Sequence, residues 1–305
     1  MTSAHFNGRS SRRLFLRQVA VAGGAIFGGG LLAACQAPAA PGGNNPPAAA
    51  ATQAAAIVQS APTQAAAAPS ELPRNQTLYI GGFQWDPPTT FNPLATGLAT
   101  WPSQGAPNTT QNSMFESLFG FNLQSGKLDP VLAKELSWPD QKTAVVTLQS
   151  GTHWQDGQPL TADDVVYTFQ LGKNYKDAYF STLWDYLSGV TAKDDHTIQF
   201  DLNADKLNPG MVKFYMGAVS IMPKHVSQSR ESGSGSLAGF ADMQPVASGP
   251  YKLQAASPER VILVRDDNYW GKSIYGTPKP TYIVHPIFKS NDDGNLAFQR
   301  GELDL

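Results

Sequence analysis

Residues 36–73 limit the possible fold more than any other stretch, because they consist mainly of Ala, Pro, Gln, Gly and Asn. The stretch carries one charge, Glu71, and shows no apolar periodicity. Such a composition cannot bury enough apolar surface to offset the loss of chain entropy, and its prolines interrupt any long helix. We therefore expect a disordered linker over residues 36–73 and a folded core that begins at residue 74.

The residues before the linker have the pattern of an export signal. Four arginines and no acid precede a short apolar run that ends in small residues, which is typical of a secretory signal. The segment around Arg12 and Arg13 closely matches the twin-arginine export signal, and the LAAC sequence that ends at Cys35 resembles a bacterial lipobox. In lipobox signals the cysteine is acylated, so residues 1–35 are predicted to be a twin-arginine lipoprotein signal with lipid on Cys35. The alternative is that Cys35 is a chance thiol.

Charge and cysteine content exclude several classes of function. The chain has 22 basic and 24 acidic residues, and removing the four arginines of the signal leaves 18 basic against 24 acidic residues. Nucleic-acid binding needs a basic surface, so we expect no nucleic-acid partner. A single cysteine excludes an internal disulfide, and the five histidines lack the spacing of a metal site, so we predict neither metal nor cofactor. No apolar run is long enough for a membrane span, so the lipid anchor is the expected membrane contact.

The apolar pattern after residue 74 predicts a mixed fold. Thr161 and Asp164 have the spacing of a helix capping box, and Val165 and Phe169 begin an apolar helix face. Asp163 and Asp164 could be read as a catalytic pair, but acids are favoured in the first turn of a helix, so we assign them a structural role. Strands and helices mix along the chain, which indicates an α/β or α+β class. Predicted strands are 77–80, 142–149, 197–202, 251–254, 260–265 and 281–288, with another beginning at 303–305; predicted helices are 113–119, one that starts at 161, and 293–300; 229–239 is a predicted surface loop.

A series of short motifs in the folded part resembles one family in its order and spacing. Together they resemble the bacterial extracellular solute-binding proteins of family 5, which serve peptide, nickel and oligosaccharide ABC importers. The motifs are FNPL at 91–94, FESL at 115–118, LDPVLA at 128–133, the segment 154–169, IMPKH at 221–225, SGPY at 248–251, NYW at 268–270 and GELD at 301–304.

The resemblance implies a mixed α/β fold of the periplasmic-binding-protein type, with two lobes around a ligand cleft and an extra domain inserted in the first lobe. Carried over to this chain, the first lobe comprises residues 74–100 and 240–305, and the inserted domain comprises 101–239. The second lobe and the return of the chain into the first lobe are expected after Leu305. We therefore expect a chain truncated before the second lobe, with an incomplete first lobe.

The candidate ligand contacts are aromatic and amide side chains on irregular, proline-rich chain. By resemblance, the segment after the first strand faces the ligand, and part of the inserted domain can reach the cleft. Aromatic rings there could stack on a sugar or pack against a peptide side chain, and an amide could form hydrogen bonds. The alternative is that these side chains only anchor a loop or pack in the core. The candidates are Trp85, Phe91, Asn92 and Trp101 in the first lobe, and Tyr179 and Phe180 in the inserted domain.

The resemblance implies a monomeric, lipid-anchored substrate-binding component of an ABC importer, without catalysis, on the outer face of the cytoplasmic membrane. It would capture short peptides and deliver them to a permease in the membrane. Short oligosaccharides, for example of the cello-oligosaccharide type, are the alternative ligand, and nickel compounds rank below both. A secreted hydrolase is an alternative of another class, but no nucleophile–base pair or carboxylate pair has useful spacing. A cell-surface scaffold or chemosensory subunit would use the same fold.

Overall fold

A computed structural model describes residues 71–81, 87–94, 113–231 and 242–305 of the chain. All of them fall within one unit, Ala61–Leu305. The predictions for Arg12, Arg13 and Cys35, for most of the linker, and for Trp85 and Trp101 lie outside the described residues. The division of the chain into a first lobe and an inserted domain remains a prediction.

The described residues contain ten strands and five α-helices, and all five helices follow β5 in the chain. The strands are β1 (Thr77–Tyr79), β2 (Phe119–Phe121), β3 (Leu128–Pro130), β4 (Ala133–Ser137), β5 (Thr143–Leu148), β6 (Leu187–Asp194), β7 (Thr197–Leu202), β8 (Tyr251–Ala256), β9 (Arg260–Arg265) and β10 (Tyr282–Pro286). The helices are α1 (Ala162–Asn174), α2 (Pro209–Ala218), α3 (Lys224–Glu231), α4 (Lys272–Tyr275) and α5 (Asn291–Gln299). The predicted strands at 77–80, 142–149, 197–202, 251–254, 260–265 and 281–288 are confirmed as β1, β5, β7, β8, β9 and β10.

One sheet has the strand order β1-β10-β9-β8. β1 runs parallel to β10, whereas the other two pairings are antiparallel. β9 is buried on both faces, since Val261 and Leu263 belong to the main core and Ile262 packs with Leu72 and Val284 in a smaller cluster. A strand covered on both faces carries a continuous apolar run, which explains why its sequence does not alternate. Because Leu72 is buried here, the packed chain begins before the predicted start at residue 74.

The second sheet is antiparallel and has the order β4-β5-β7-β6. Its two central strands alternate between buried and half-buried residues, as the sequences TAVVTL and TIQFDL predict. The buried side chains face the main core, where Phe169 of α1 packs edge to face on Phe200 of β7 with ring centroids 5.0 Å apart. β2 and β3, which directly precede β4 in the chain, form a separate two-stranded sheet.

The predicted capping box at the start of α1 is confirmed. The Asp164 carboxylate accepts a hydrogen bond from the backbone N–H of Thr161 at 2.9 Å. It also accepts from the backbone N–H of Lys224 at 2.8 Å and from the Trp154 indole N–H at 3.3 Å. Burial raises the pKa of Asp164, and these hydrogen bonds oppose the rise. Asp163 lies on the exposed side and pairs with the Lys224 Nζ at 3.3 Å, so both acids have structural contacts.

Residues 113–119 do not form the predicted helix. They form a turn that leads through an isolated β-bridge into β2. Their carbonyls accept hydrogen bonds from distant segments, since Glu116 O accepts from Ile221 N and Leu118 O accepts from Ala133 N, both at 2.9 Å. Pairing with other parts of the fold therefore satisfies backbone groups that a helix would have paired locally.

Three other predicted segments differ in detail. α3 continues to Glu231 and takes up the first residues of the loop predicted at 229–239. The predicted helix at 293–300 is confirmed as α5, and Gly301 follows it with a φ of 73°, the left-handed conformation that glycine permits at a helix end. Leu303–Leu305 is not a regular strand, although its backbone forms hydrogen bonds with β1.

We expect Asp164→Ala to lower the free energy of unfolding by about 2–4 kcal/mol, because one buried and two part-buried N–H donors lose their acceptor. Asp163→Ala in the same helix turn removes only an exposed ion pair, so its cost should stay below about 1 kcal/mol. Urea unfolding followed by circular dichroism measures both values. Equal losses in the two variants would contradict the role assigned to the buried carboxylate.

Candidate ligand-binding site

The candidate site lies at the carboxyl end of β1. On one side of the strand, Ile80 N donates to Val284 O of β10 at 2.9 Å. On the other side, Gly81 N donates to Leu305 O at 2.9 Å. β1, β10 and residues 303–305 thus run parallel and side by side up to Ile80 and Gly81. In α/β sheets, ligands bind outside the carboxyl ends of parallel strands, which makes this edge the candidate site.

An ion pair holds the C-terminal segment against β1. Two guanidinium nitrogens of Arg74 bind the Asp304 carboxylate, one of them at 3.1 Å from Oδ2. The same Oδ2 accepts the N–H of Tyr79 at 2.8 Å, and Asp304 N donates to Tyr79 O at 2.9 Å. The hydrogen bond from Arg74 lowers the pKa of Asp304. These contacts fix the register that brings Leu305 beside Gly81.

A small pocket opens beside this edge. Its volume is 210 Å³, and Asn291, Asn295 and Phe298 of α5 line it together with Gly81 and Leu303. A Cβ atom at Gly81 would lie 2.5 Å from Leu303 Cδ1, so a side chain at this position would require the Leu303 side chain to move. Amide and aromatic side chains of this kind can orient a ligand.

Phe91 and Asn92 lie in the segment that follows β1, and neither exposes any surface. Thr90 Oγ1 accepts hydrogen bonds from Asn92 N at 3.0 Å and from Asp242 N at 2.8 Å. Asn92 Oδ1 accepts from Leu94 N at 3.0 Å, and Phe91 belongs to the main hydrophobic core. This placement supports the alternative that Phe91 anchors the loop. Contact of either residue with a ligand remains a prediction.

Tyr179 and Phe180 lie together just after α1. Phe180 is fully buried, and a Cβ atom at Gly172 would lie 2.5 Å from its ring. Tyr179 is half-buried, its hydroxyl donates to Ala218 O at 2.9 Å, and burial raises its pKa. Its ring packs edge to face on Phe180 with centroids 5.2 Å apart. Both residues therefore make core contacts, and their contact with a ligand remains a prediction.

A buried carboxylate joins the segment before β2 to the turn after β9. Glu116 is 3% exposed, its Oε1 accepts from the Tyr269 hydroxyl at 2.6 Å, and its Oε2 accepts from the Trp270 indole N–H at 2.9 Å. Burial raises the pKa of Glu116 to about 7, and hydrogen bonds from Tyr269 and Trp270 oppose the rise. The cluster therefore fixes the chain before β2 against the turn after β9.

Sequence reasoning missed this cluster, although it singled out the motifs that contribute to it. Glu116 and Tyr269 are 153 residues apart, and no local pattern predicts their contact. Gln155 was also missed, although its Nε2 donates to Gly249 O at 3.0 Å and to Tyr251 O at 2.8 Å. The sequence offered one signal for these contacts, because the motifs interrupt regular structure. Irregular chain that side chains hold in place often carries functional residues.

Within residues 71–81, 87–94, 113–231 and 242–305, no three His, Cys, Asp or Glu side chains come together as metal ligands. Across the same described ranges, no helix combines the length and the apolar character that crossing a bilayer requires. The groups at the carboxyl end of β1 are backbone donors and acceptors, amides and apolar side chains. Such an arrangement can hold a ligand by shape and hydrogen bonding.

Comparison with known proteins gives a family match and several relatives. Residues 127–305 match the family model described as bacterial extracellular solute-binding proteins, family 5 Middle. The peptidoglycan-binding protein YepA of Agrobacterium fabrum is 30% identical over 213 residues, which are 64% of this chain and 32% of that protein. The probable peptide-binding protein YejA of the same organism is 31% identical over 184 residues, 57% of this chain and 29% of that protein. The chain thus spans about a third of the length of these curated relatives.

A solved structure with a similar fold comes from Thermotoga maritima. It is the mannohexaose-bound periplasmic oligopeptide-binding protein of an oligopeptide ABC transporter. The two structures superpose with a TM-score of 0.66 at 32% sequence identity, covering 77% of this chain and 42% of that chain. The predicted mixed α/β fold of the periplasmic-binding-protein type is therefore confirmed.

The buried Glu116 carboxyl predicts a pH dependence of stability. Its pKa in the folded chain, about 7, lies above the ordinary value of 4.5, so the folded chain binds this proton more tightly than the unfolded chain. The resulting stabilisation is complete below about pH 4.5 and is lost as the pH rises through about 7. We expect Glu116→Gln to remove this contribution to the fall in melting temperature between about pH 5 and pH 8.

The measurement is the difference in melting temperature between wild type and variant at each pH. The difference is needed because His285 also changes the melting temperature with pH. Burial lowers the pKa of His285 to about 4, so its contribution to stability increases with pH, opposite to that of Glu116. Asp129→Asn, at an exposed position of β3, is the matched control and should not change the profile. A constant difference across the pH range for Glu116→Gln would contradict the prediction.

Proposed function

Because the family model matches residues 127–305, the chain belongs to the bacterial extracellular solute-binding proteins of family 5, and we propose that it is the substrate-binding component of an ABC importer. It captures short peptides outside the cytoplasmic membrane and delivers them chemically unchanged to a membrane permease. It acts as a monomer and has no catalytic activity. The peptide class follows the relative YejA, which is named a probable peptide-binding protein.

The observation that most supports binding is the arrangement at the end of β1. Backbone groups of Ile80 and Gly81 end a parallel set of strands, and a pocket lined by Asn291, Asn295 and Phe298 opens beside them. A short peptide can lie across the ends of these strands, with one of its side chains in the pocket and its polar groups near the two asparagine amides. A hinged second lobe beyond this edge would close over the peptide, as the family fold implies.

Short oligosaccharides are the second candidate ligand. The Thermotoga maritima protein is 32% identical to this chain and was solved with mannohexaose, although its name refers to oligopeptides. Among the sequence candidates, we propose that Trp85 and Trp101 contact the ligand, since indole rings pack on either a sugar ring or a peptide side chain. Phe91 and Asn92, which are fully buried, position the same segment.

The chain is also proposed to be a lipoprotein. Residues 1–35 direct twin-arginine export through Arg12 and Arg13, and acylated Cys35 becomes the new N-terminus. Buried acyl chains contribute about 0.8 kcal/mol per methylene, so several chains on one cysteine hold a protein at a membrane without a spanning helix. The following linker separates the anchor from a first lobe around β1, β8, β9 and β10 and an inserted domain around β4 to β7.

Ligand class can be tested by thermal-shift titration of the complete gene product with uncharged tri- to pentapeptides and, separately, with mannohexaose. A ligand at about 100 times its Kd stabilises a protein by about 2.7 kcal/mol. We expect peptides to raise the melting temperature and to be recovered unchanged by chromatography. Trp85→Ala should weaken binding about tenfold, whereas the control Tyr275→Ala, at an exposed aromatic residue of α4 outside the candidate ligand-binding site, should not. Stabilisation by mannohexaose alone would assign the oligosaccharide, and turnover of the ligand would contradict a binding protein.

Lipid attachment can be tested by Cys35→Ser in a bacterium that processes lipoproteins. We expect the variant to move from the membrane fraction to the soluble exported fraction, because the acyl chains are its membrane contact. The double substitution Arg12→Lys with Arg13→Lys keeps the positive charge and should retain the protein inside the cell. An unchanged membrane fraction for Cys35→Ser would show that another segment holds the protein there.

A further inference from the structure

A groove runs along the outer edge of the second sheet, on a different sheet from the candidate ligand-binding site. Two adjoining cavities of 660 and 540 Å³ share Trp138 and Lys213 as lining residues. We call them together the β4 groove. The residues that define it for the argument are Lys127, Lys134, Trp138, Leu207, Pro209 and Lys213.

β4 presents free backbone groups at this groove. It is the first strand in the order β4-β5-β7-β6, so β5 is its sheet neighbour on one side only. In the described part of the chain, residues 134–137 form no backbone hydrogen bond besides those with β5. An edge strand beside an open groove can take up an extended peptide as an added strand.

Three lysine side chains give one end of the groove a positive charge. Lys127, Lys134 and Lys213 form no ion pair with a carboxylate of the described residues. Two carboxylates, those of Glu135 and Asp140, also line the groove, and Asp140 accepts a backbone N–H at 2.7 Å. After its signal the chain carries 18 basic and 24 acidic residues, so its net charge is negative. Three lysines at one groove, without an ion pair in the described part of the chain, thus form a positive region on an acidic chain. The charge therefore favours an acidic occupant.

The other end of the groove is apolar. Leu207 is 41% exposed, and Pro209 lines the same cavity. Trp138 is half-buried, and Lys213 Nζ lies 5.7 Å from its ring centroid, where the two cavities meet. Alternate side chains of an extended peptide lie on one face about 7 Å apart. Such a peptide can place acidic side chains near the lysines and an apolar side chain near Leu207.

We propose that the β4 groove is a docking site for an extended acidic peptide segment of a partner protein, which pairs with β4 as an added strand. Lys127 and Lys134 bind its carboxylates, and Trp138 with Leu207 contacts an apolar side chain at its end. The inference does not depend on the ligand proposed for β1. A second copy of this chain is the competing occupant, and exposed lysines on edge strands are a known protection against that pairing.

The test uses the purified chain and a fluorescent heptapeptide in which three Glu and three Val alternate before a final Leu. Fluorescence polarisation should show saturable binding that weakens with added salt. Lys134→Glu should weaken binding about tenfold or more, because it reverses a charge that faces the peptide. Lys193→Glu is the matched control, since it reverses an exposed lysine on β6, the opposite edge strand of the same sheet, and should leave binding unchanged.

Three further peptides test the strand pairing and the charge. N-methylation of the central Val blocks backbone donation along one edge of the peptide, and N-methylation of the adjacent Glu blocks it along the other edge. One of these two changes should abolish binding if the peptide pairs with β4. A peptide with Lys in place of Glu should not bind. Equal binding of both charge types, unchanged binding after both N-methylations, or no binding of the acidic peptide at about 1 mM would overturn the proposal.

Sedimentation velocity distinguishes the competing occupant. The proposal expects a monomer, and expects Lys134→Gln, which removes the charge without reversing it, to remain folded by circular dichroism while binding the acidic peptide more weakly. A concentration-dependent dimer of the wild-type chain that excludes the peptide would assign the groove to a second copy and overturn the acidic partner.

Discussion

The buried carboxylate of Glu116 is the contact on which the irregular part of this structure depends. It receives hydrogen bonds from Tyr269 and Trp270, which follow β9, while its own segment pairs with β3 and with the chain before α3. No lysine or arginine donates to it among the described residues, so neutral donors alone compensate for its burial. A buried carboxylate held in this way is sensitive to the position of each donor, which makes the surrounding loops rigid.

Polar contacts also fix the chain at the candidate binding edge, but there they are exposed rather than buried. There the chain relies on the exposed pair of Arg74 and Asp304 and on the parallel backbone bonds of Gly81. Exposed ion pairs add little stability, but one that also fixes backbone register specifies geometry. Geometry at this point bears on the candidate site, because ligands of α/β sheets bind outside the carboxyl ends of parallel strands.

Regular elements were predictable from the sequence because their apolar spacing has a single interpretation. β5 and β7 alternate along their whole length, and Thr161 with Asp164 marks the start of α1. Residues 113–119 have helical spacing too, yet their carbonyls pair with segments about 13 to 135 residues away in sequence, which no local pattern reveals. The burial of Phe91 is of the same kind, because a proline-rich segment looks exposed until the hydrogen bonds that Thr90 Oγ1 accepts from Asn92 N and Asp242 N are known.

Glu116 and Asp164 are two of the buried carboxylates that fix irregular chain in the described residues. Asp164 joins the starts of α1 and α3, and Glu116 joins the chain before β2 to that after β9. Each is held mainly by neutral N–H and O–H donors, and each has its pKa raised by burial. Loops fixed before a ligand arrives lose little conformational entropy when it binds. Under the binding function proposed above, this preorganisation favours affinity, because irregular chain near the sheet is already anchored by buried polar groups.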